Sequence, residues 1–189
     1  MQYFLPYLFE IIQRLNYERN VLPSLFVSHM NRLTSNDLVI DLGANRGRVS
    51  ECLALRGPKV ISFEPNANAF VKLLSVSNKY QNIYARKEAA GTKNQTVRLY
   101  HHSETKDSNV DLTQSSSLLS AKPNVSKDIF EDVQEIDFAE FLQSLDSPVE
   151  LIKIDIEGYE IGLINHLLDK KVLDNVGKIY LETHEKKFK

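Results

Sequence analysis

Short apolar segments that alternate with helical segments most restrict the fold of this 189-residue chain. The segments at 37–41 (DLVID), 59–63 (KVISF) and 82–86 (NIYAR) have the length and β-branched content of buried strands. A helical pattern separates each segment from the next. Because strands that alternate with helices form βαβ units, the sequence predicts an α/β fold: a doubly wound, mainly parallel sheet with helices on both faces.

The chain is predicted to contain a helical N-terminal cap followed by the α/β domain. Residues 1–36 are assigned to the cap, because residues 3–33 have a helical pattern with a break near Pro23. Residues 37–189 are assigned to the domain. The stretch 103–128 is rich in Ser, Asp, Asn, Thr and Lys, so it is predicted to be a loop.

The second half of the domain contains further strand and helix signals. Asn66 or Asn68 is predicted to cap the helix after the second strand, and Asp137, with Glu140 three residues later, resembles a capping box. A helix is also predicted over GYEIGLINHLLDKK, beginning near Ile156. Further strands are predicted at 96–102, 132–136, 149–155 and 178–182.

Composition excludes several classes of protein. The 23 basic residues do not exceed the 25 acidic ones, and the net charge of −2 argues against a general nucleic-acid-binding surface. The single cysteine, Cys52, cannot form an intrachain disulfide and is interpreted as a packing residue. The apolar N-terminus lacks a basic region, and Glu10 interrupts it, so neither a signal peptide nor a membrane span is predicted. A cytoplasmic protein is expected.

A glycine-containing loop follows the first predicted strand and reads DLGANRG, from Asp41 to Gly47. Gly43 and Gly47 permit a tight turn and a close approach of a ligand to the backbone. Glu64 ends the next strand, 21 residues after Gly43, where an acid can accept hydrogen bonds from both hydroxyls of a ribose. Packing and helix capping explain each feature alone. In this order and spacing the features favour a nucleoside-type cofactor.

The acid ahead of the loop separates two cofactor classes. A dinucleotide site normally has G-x-G-x-x-G, whereas this loop has G-x-N-x-G and Asp41 two residues before the first glycine. A carboxylate is unfavourable next to an anionic pyrophosphate and favourable next to an ammonium or sulfonium. The loop therefore indicates S-adenosylmethionine over NAD.

These motifs together resemble the FkbM-family methyltransferases. The resemblance covers about residues 37–184, and FEPN and KIDIEGYE are its most specific parts. The segments that carry it are VIDLGANRGRVS, VISFEPNANAF, KEAAGTKNQTVRLY, SSSL and LIKIDIEGYE. The resemblance implies a class I methyltransferase fold that uses S-adenosylmethionine, usually to methylate a hydroxyl of a sugar or polyketide-type product.

The resemblance also implies roles for individual residues. Gly43, Asn45 and Gly47 are expected to line the methionine and ribose parts of the cofactor, and Glu64 to bind the ribose hydroxyls. Glu88 and Ala89 are expected beside the adenine, and Ser117 near the acceptor. A full class I sheet has two more strands after 178–182, so the final strands are expected to be missing or supplied by a partner, as in a homodimer.

The segment LIKIDIEGYE places three acids after a predicted strand, and helix capping can explain them. Asp155 suits the N-cap of a helix that begins near Ile156, Glu157 suits its first turn, and Glu160 a solvated position. Capping does not explain Gly158, which is a poor residue for a first turn and indicates close approach of another backbone or a ligand.

The same acids have a chemical interpretation. A base for a hydroxyl acceptor belongs on the acceptor side of the site, where Asp155, Glu157 or His184 can take the proton. The simpler interpretation of His184 is an exposed residue of a charged tail. These residues and Glu182 could also supply ligands to Mg²⁺, but no spacing is specific to a metal, and none is predicted.

Three function classes follow from these observations. The preferred one is an S-adenosylmethionine-dependent O-methyltransferase that acts on a small-molecule or glycan hydroxyl. A methyltransferase-like binding module without turnover is the alternative, and a nicotinamide-dependent oxidoreductase is disfavoured by the missing G-x-G-x-x-G. Binding without methyl release would identify the second class, and preferential stabilisation by NAD the third.

Overall fold

The computed structural model describes residues 13–14, 16–102 and 125–182. The strands are β1 (Leu38–Leu42), β2 (Lys59–Phe63), β3 (Ile83–Arg86), β4 (Ala89–Gly91), β5 (Gln95–His102), β6 (Val125–Asp137), β7 (Val149–Ile154) and β8 (Val176–Leu181). The helices are α1 (Ser24–Met30), α2 (Arg48–Ala54), α3 (Ala67–Lys79), α4 (Phe138–Gln143) and α5 (Glu160–Asp169). Residues 13, 14 and 16–20 are helical as well.

The main sheet confirms the predicted doubly wound α/β class. Five parallel strands lie in the order β3-β2-β1-β7-β8. The chain runs outward from β1 to β3 on one side and from β7 to β8 on the other. The strand order therefore reverses between β1 and β7. In such sheets ligands bind outside the carboxyl ends of the strands at this reversal.

A second sheet contains the strands between β3 and α4. Its order is β4-β6-β5, with β4 parallel and β5 antiparallel to β6. The loop predicted over 103–128 extends too far towards the C-terminus. Strand β6 already begins at Val125, which pairs with His102. The pairing partner supplied by β5 outweighs the polar composition that favoured a loop there.

The two faces of the main sheet are covered by different helices, because successive side chains of each strand point to opposite faces. Ile40 and Ile152 pack with α4 and α5 residues, whereas Val39 and Leu151 pack with α1 and α2 residues. Phe26 and Met30 of α1 are 3% and 0% exposed. The predicted cap therefore belongs to the core in its described part, although its boundary at residue 36 stays a prediction.

Several local predictions can be compared with the structure directly. The side chain of Asn66 accepts hydrogen bonds from the first turn of α3, and that of Asp137 does the same for α4, which confirms both caps. Cys52 is buried, and burial raises the pKa of its thiol, which fits the packing interpretation. In the part of the chain that the structure describes, no helix combines the length and apolarity needed to cross a membrane.

Candidate functional site

The glycine loop between β1 and α2 has an unusual backbone. Gly43, Asn45 and Gly47 have φ values of 71°, 50° and 80°. The N–H of Gly43 donates to the carbonyl of Phe63, which ties the loop to the end of β2. A Cβ added to Gly43 would lie 1.8 Å from the carbonyl oxygen of Asp155. The glycine is therefore required where this loop touches the loop that follows β7.

Asp41 lies beneath the glycine loop and is fully buried. Its Oδ2 accepts a hydrogen bond of 2.7 Å from the Ser50 hydroxyl, which itself accepts one of 2.9 Å from the Ser62 hydroxyl. Its Oδ1 is 3.4 Å from Nζ of Lys153. The positive charge beside Asp41 in this structure is thus an ammonium of the protein. A contact between Asp41 and a cofactor stays a prediction.

Lys153 is a site residue that the sequence interpretation did not include. It lies on β7 between Ile152 and Ile154, and only 14% of its side chain is exposed. Nζ donates to the carbonyl of Gly43 at 3.2 Å and to Oδ2 of Asp155 at 3.4 Å. Burial opposes the charge, but the carboxylates beside it outweigh this effect and raise the pKa of Lys153. The available signal was a lysine inside the otherwise apolar run 151–154 of this strand.

Glu64 follows β2 and is 6% exposed. Its Oε2 accepts the N–H of Asn45 and its Oε1 the N–H of Asn66, both at 2.8 Å. Burial raises the pKa of Glu64 to about 7, although both hydrogen bonds and Lys153 act in the opposite direction. Glu64 therefore joins the glycine loop to the start of α3, and its binding of ribose hydroxyls stays a prediction.

Two further predicted residues lie at the next strand. Oε2 of Glu88 is 2.6 Å from Nε of Arg86, the last residue of β3. The Arg86 guanidinium lies 5.2 Å from the ring centroid of Phe63 and 5.0 Å from that of Phe141. Ala89 is buried at the start of β4. Glu88 therefore lies one strand beyond Glu64 along the carboxyl edge of the sheet.

The segment after β7 differs from its prediction. Asp155 is not an N-cap and Glu157 is not in a first helical turn, because α5 begins only at Glu160. Glu157 and Gly158 have φ values of 57° and 114°, which are incompatible with a continuing α-helix. The positive φ gives a conformational reason for Gly158, and the close approach of another backbone or a ligand there stays a prediction.

Glu160 is buried, so its prediction as a solvated residue is wrong. It is 2% exposed and its Oε1 accepts the N–H groups of Ile156 and Gly158 at 3.2 and 2.9 Å. A side chain reaching back in this way satisfies backbone donors that no helix serves. The carboxylate of Glu160 thereby fixes the loop that carries Asp155 and Glu157.

Replacing Glu160 by Ala is expected to lower the free energy of unfolding by about 1–3 kcal/mol, because two N–H groups of the loop lose their acceptor. Urea denaturation measures the change. Glu160→Gln retains one side-chain carbonyl oxygen and should lose less stability than the alanine variant. Equal stability of both variants and the wild type would contradict this function of Glu160.

Some predicted residues lie outside the described part of the chain, namely Ser117 and His184. Glu182 is the last described residue, and its N–H donates to the carbonyl of Ile154 at 2.9 Å, next to Asp155. Within residues 13–14, 16–102 and 125–182, no group of three His, Cys, Asp or Glu side chains could hold a metal ion. The absence of a catalytic metal stays a prediction.

The described site thus combines three loops at the carboxyl ends of adjacent strands. The loop after β1 is joined to Glu64 by a hydrogen bond and to Asp155 by backbone contact and Lys153. The Asp155 side chain is 28% exposed. The arrangement can present one carboxylate to a bound nucleoside and a second, partly exposed carboxylate to an acceptor.

Several solved structures are similar to this chain. An rRNA methylase from Streptococcus thermophilus is similar over 88% of this chain and 75% of its own, with 12% identity and a TM-score of 0.48. A Streptococcus mutans protein described as a methyltransferase, solved with SAH, is similar over 85% of this chain and 72% of its own, with 12% identity and a TM-score of 0.46. A chain of a fibrillarin/Nop5p complex is similar over 73% of this chain, with 17% identity and a TM-score of 0.40. The similarity covers 46% of that chain, so this chain spans under half of its length.

A comparison with curated proteins found no match. The model of the methyltransferase FkbM domain, in contrast, matches residues 41–189. The matched range includes the glycine loop, Glu64, Lys153 and the loop of Asp155. Because the match covers most of the sequence, the chain belongs to the FkbM methyltransferase domain family.

Proposed function

We propose that this protein is an S-adenosylmethionine-dependent O-methyltransferase that acts on a hydroxyl of a sugar, glycan or polyketide-type small molecule. The observation that carries the proposal is the hydrogen bond between Glu64 and the glycine loop at the strand-order reversal. Doubly wound sheets bind nucleoside cofactors at this position. Membership of the FkbM family supports the reaction type.

The residues at the site fit an adenosyl cofactor. Each carboxylate oxygen of Glu64 accepts one backbone N–H, and an ionised carboxylate has about four acceptor positions in all. Both oxygens can therefore accept ribose hydroxyls as well. Gly43, Asn45 and Gly47 would lie along the methionine and ribose parts. Glu88 and Ala89, one strand further along the edge, would lie beside the adenine.

The protein's contribution to the reaction is alignment and proton transfer. Bound S-adenosylmethionine supplies a methyl group that carries the positive charge of a sulfonium. Asp155 takes the proton of the acceptor hydroxyl, and Glu157 or His184 is the alternative base. A carboxylate against the sulfonium itself would stabilise the charged ground state more than the transition state, so the base acts from the acceptor side. Ser117 is proposed to contact the acceptor.

Calorimetry with S-adenosylmethionine tests the cofactor directly. We expect binding by the full chain, and a weaker affinity for Glu64→Ala because the ribose hydroxyls lose their acceptor. The exposed Asp146, in the turn before β7, provides a control in Asp146→Asn, which should bind like the wild type. Absence of binding at millimolar ligand would contradict the proposal.

The affinity is also expected to depend on pH. The pKa of Glu64 is raised to about 7, and ribose hydroxyls donate to its ionised form, so binding lowers this pKa and releases a proton. The dissociation constant should therefore rise about tenfold per pH unit below 7 and level off above it. Calorimetry in buffers of different ionisation enthalpy measures the released proton. Glu64→Gln should remove the dependence, and an unchanged pH profile in that variant would assign it to another group.

A further inference from the structure

Lys153 is the buried cation at the point where the two loops meet. An ammonium group has three protons, and Nζ has three oxygen neighbours: Gly43 O at 3.2 Å, Asp155 Oδ2 at 3.4 Å and Asp41 Oδ1 at 3.4 Å. The first two contacts are hydrogen bonds, whereas the third is an ion pair, because Asp41 Oδ1 has no hydrogen-bond partner among the described residues. Lys153 therefore binds the carbonyl of Gly43 and the carboxylate of Asp155, and its charge opposes that of Asp41.

Acidic groups predominate around this ammonium. Asp41 faces it from β1, Asp155 from the loop after β7, and Glu64 from the end of β2. The phenol of Tyr17 faces it from the N-terminal helical segment. Lys153 places one positive charge beside the carboxylates of Asp41 and Asp155. Without it, a ligand bound beside Gly43 would experience a more negative site.

The backbone of the site is held by further contacts that do not involve Lys153. Gly43 N–H donates to the carbonyl of Phe63 at 3.1 Å, and Asp155 N–H donates to the carbonyl of Leu42 at 3.1 Å. The loops are also in direct contact, through Gly43 and the Asp155 carbonyl. The side chain of Lys153 is therefore expected to control the position and charge of the carboxylates more than the path of the loops.

We propose that Lys153 is a positioning residue that holds the Asp155 carboxylate and balances the site's negative charge, and so limits the preference for S-adenosylmethionine over S-adenosylhomocysteine. This inference rests on the proposed cofactor. The two ligands differ by one methyl group and one positive charge. A site made more negative by loss of Lys153 would favour the sulfonium form, and stronger ground-state binding of that form opposes transfer. Lys153 prevents this overbinding.

Calorimetry measures the dissociation constants of S-adenosylhomocysteine and S-adenosylmethionine. The first constant divided by the second gives a ratio that is compared between variants and wild type. Lys153→Met should raise this ratio about five- to tenfold, because one positive charge near the sulfonium is lost. Lys153→Arg retains the charge and should stay within about twofold of the wild type. Loss of both affinities in equal proportion would overturn the inference, since a purely structural lysine would not discriminate by ligand charge.

Lys153→Met leaves Asp41 buried without its counter-ion, which can prevent folding. Two further variants keep the inference testable in that case. Asp41→Asn/Lys153→Met removes one charge of each sign and should bring the ratio back towards the wild-type value. Asp155→Asn removes only a negative charge from a partly exposed position and should lower the ratio. A wild-type ratio in Asp155→Asn, or a ratio in the double variant that departs from the wild type by fivefold or more, would overturn the inference. Failure of the wild type to bind either ligand would instead reject the proposed function.

Discussion

Replacing Asp155 by Asn is expected to lower methyl transfer at saturating cofactor and acceptor by about 10²–10⁴-fold, the usual contribution of a general base. Asparagine keeps the size of the side chain and can still accept a hydrogen bond from Lys153, but it cannot take a proton. The fold should be retained, because the Asp155 backbone is held by Leu42 and by Gly43. The measurement is the rate of S-adenosylhomocysteine formation with an acceptor that the wild-type protein methylates.

Two control variants test whether the loss of turnover is specific to Asp155. Asp146→Asn makes the same chemical change at an exposed position before β7 and should have wild-type turnover. Glu157→Gln tests the other acid of the loop. If Asp155→Asn turns over at the wild-type rate and Glu157→Gln does not, Glu157 is the base. Full activity of both variants would shift the assignment to His184 or to catalysis by alignment alone.

Replacing Gly43 by Ala is expected to cause the largest loss of stability of any change at the site, about 2–5 kcal/mol in total. The new Cβ would lie 1.8 Å from the Asp155 carbonyl oxygen, and backbone cannot move aside as a flexible side chain would. The φ of 71° adds a further cost of about 1–2 kcal/mol for an L-residue. Urea denaturation and cofactor calorimetry should both show the effect.

Gly162 provides the matched control for this substitution. It lies inside α5, and an added Cβ would come no closer than 3.8 Å to the Tyr159 ring. Gly162→Ala should leave stability unchanged or raise it by about 0.5–1 kcal/mol, since alanine is the better helix residue. A Gly43→Ala protein as stable as the wild type would show that the two loops separate easily.

The elements of this fold could be predicted because their signals are local. The strands at 37–41 and 59–63 are short apolar runs, and Asn66 and Asp137 cap helices through contacts with residues two or three positions away. The parallel order of the strands followed from alternation with helices. The positions of the glycine loop and Glu64 at adjacent strand ends followed from that order.

The sequence-based predictions were wrong or incomplete where long-range contacts or the backbone conformation determine the position of a residue. Glu160 has the sequence surroundings of a solvated helix residue, and only the path of the preceding loop buries it under Ile156 and Gly158. Asp155 would be a good N-cap if the helix began at the next residue, but two positive φ values delay α5 to Glu160. Lys153 could be noticed in the sequence, but its partner Asp41 is 112 positions away and is brought near by the pairing of β1 with β7.

The packing of α1 against the sheet has a practical consequence for any shortened form of the protein. The family match begins at residue 41, inside β1, whereas Phe26 and Met30 cover Val39 and Leu151 on one face of the sheet. A protein cut at the start of the match would lose part of its central strand and expose an apolar surface to solvent. Such a fragment is expected to aggregate on expression, so its failure to bind a cofactor would say nothing about the intact site.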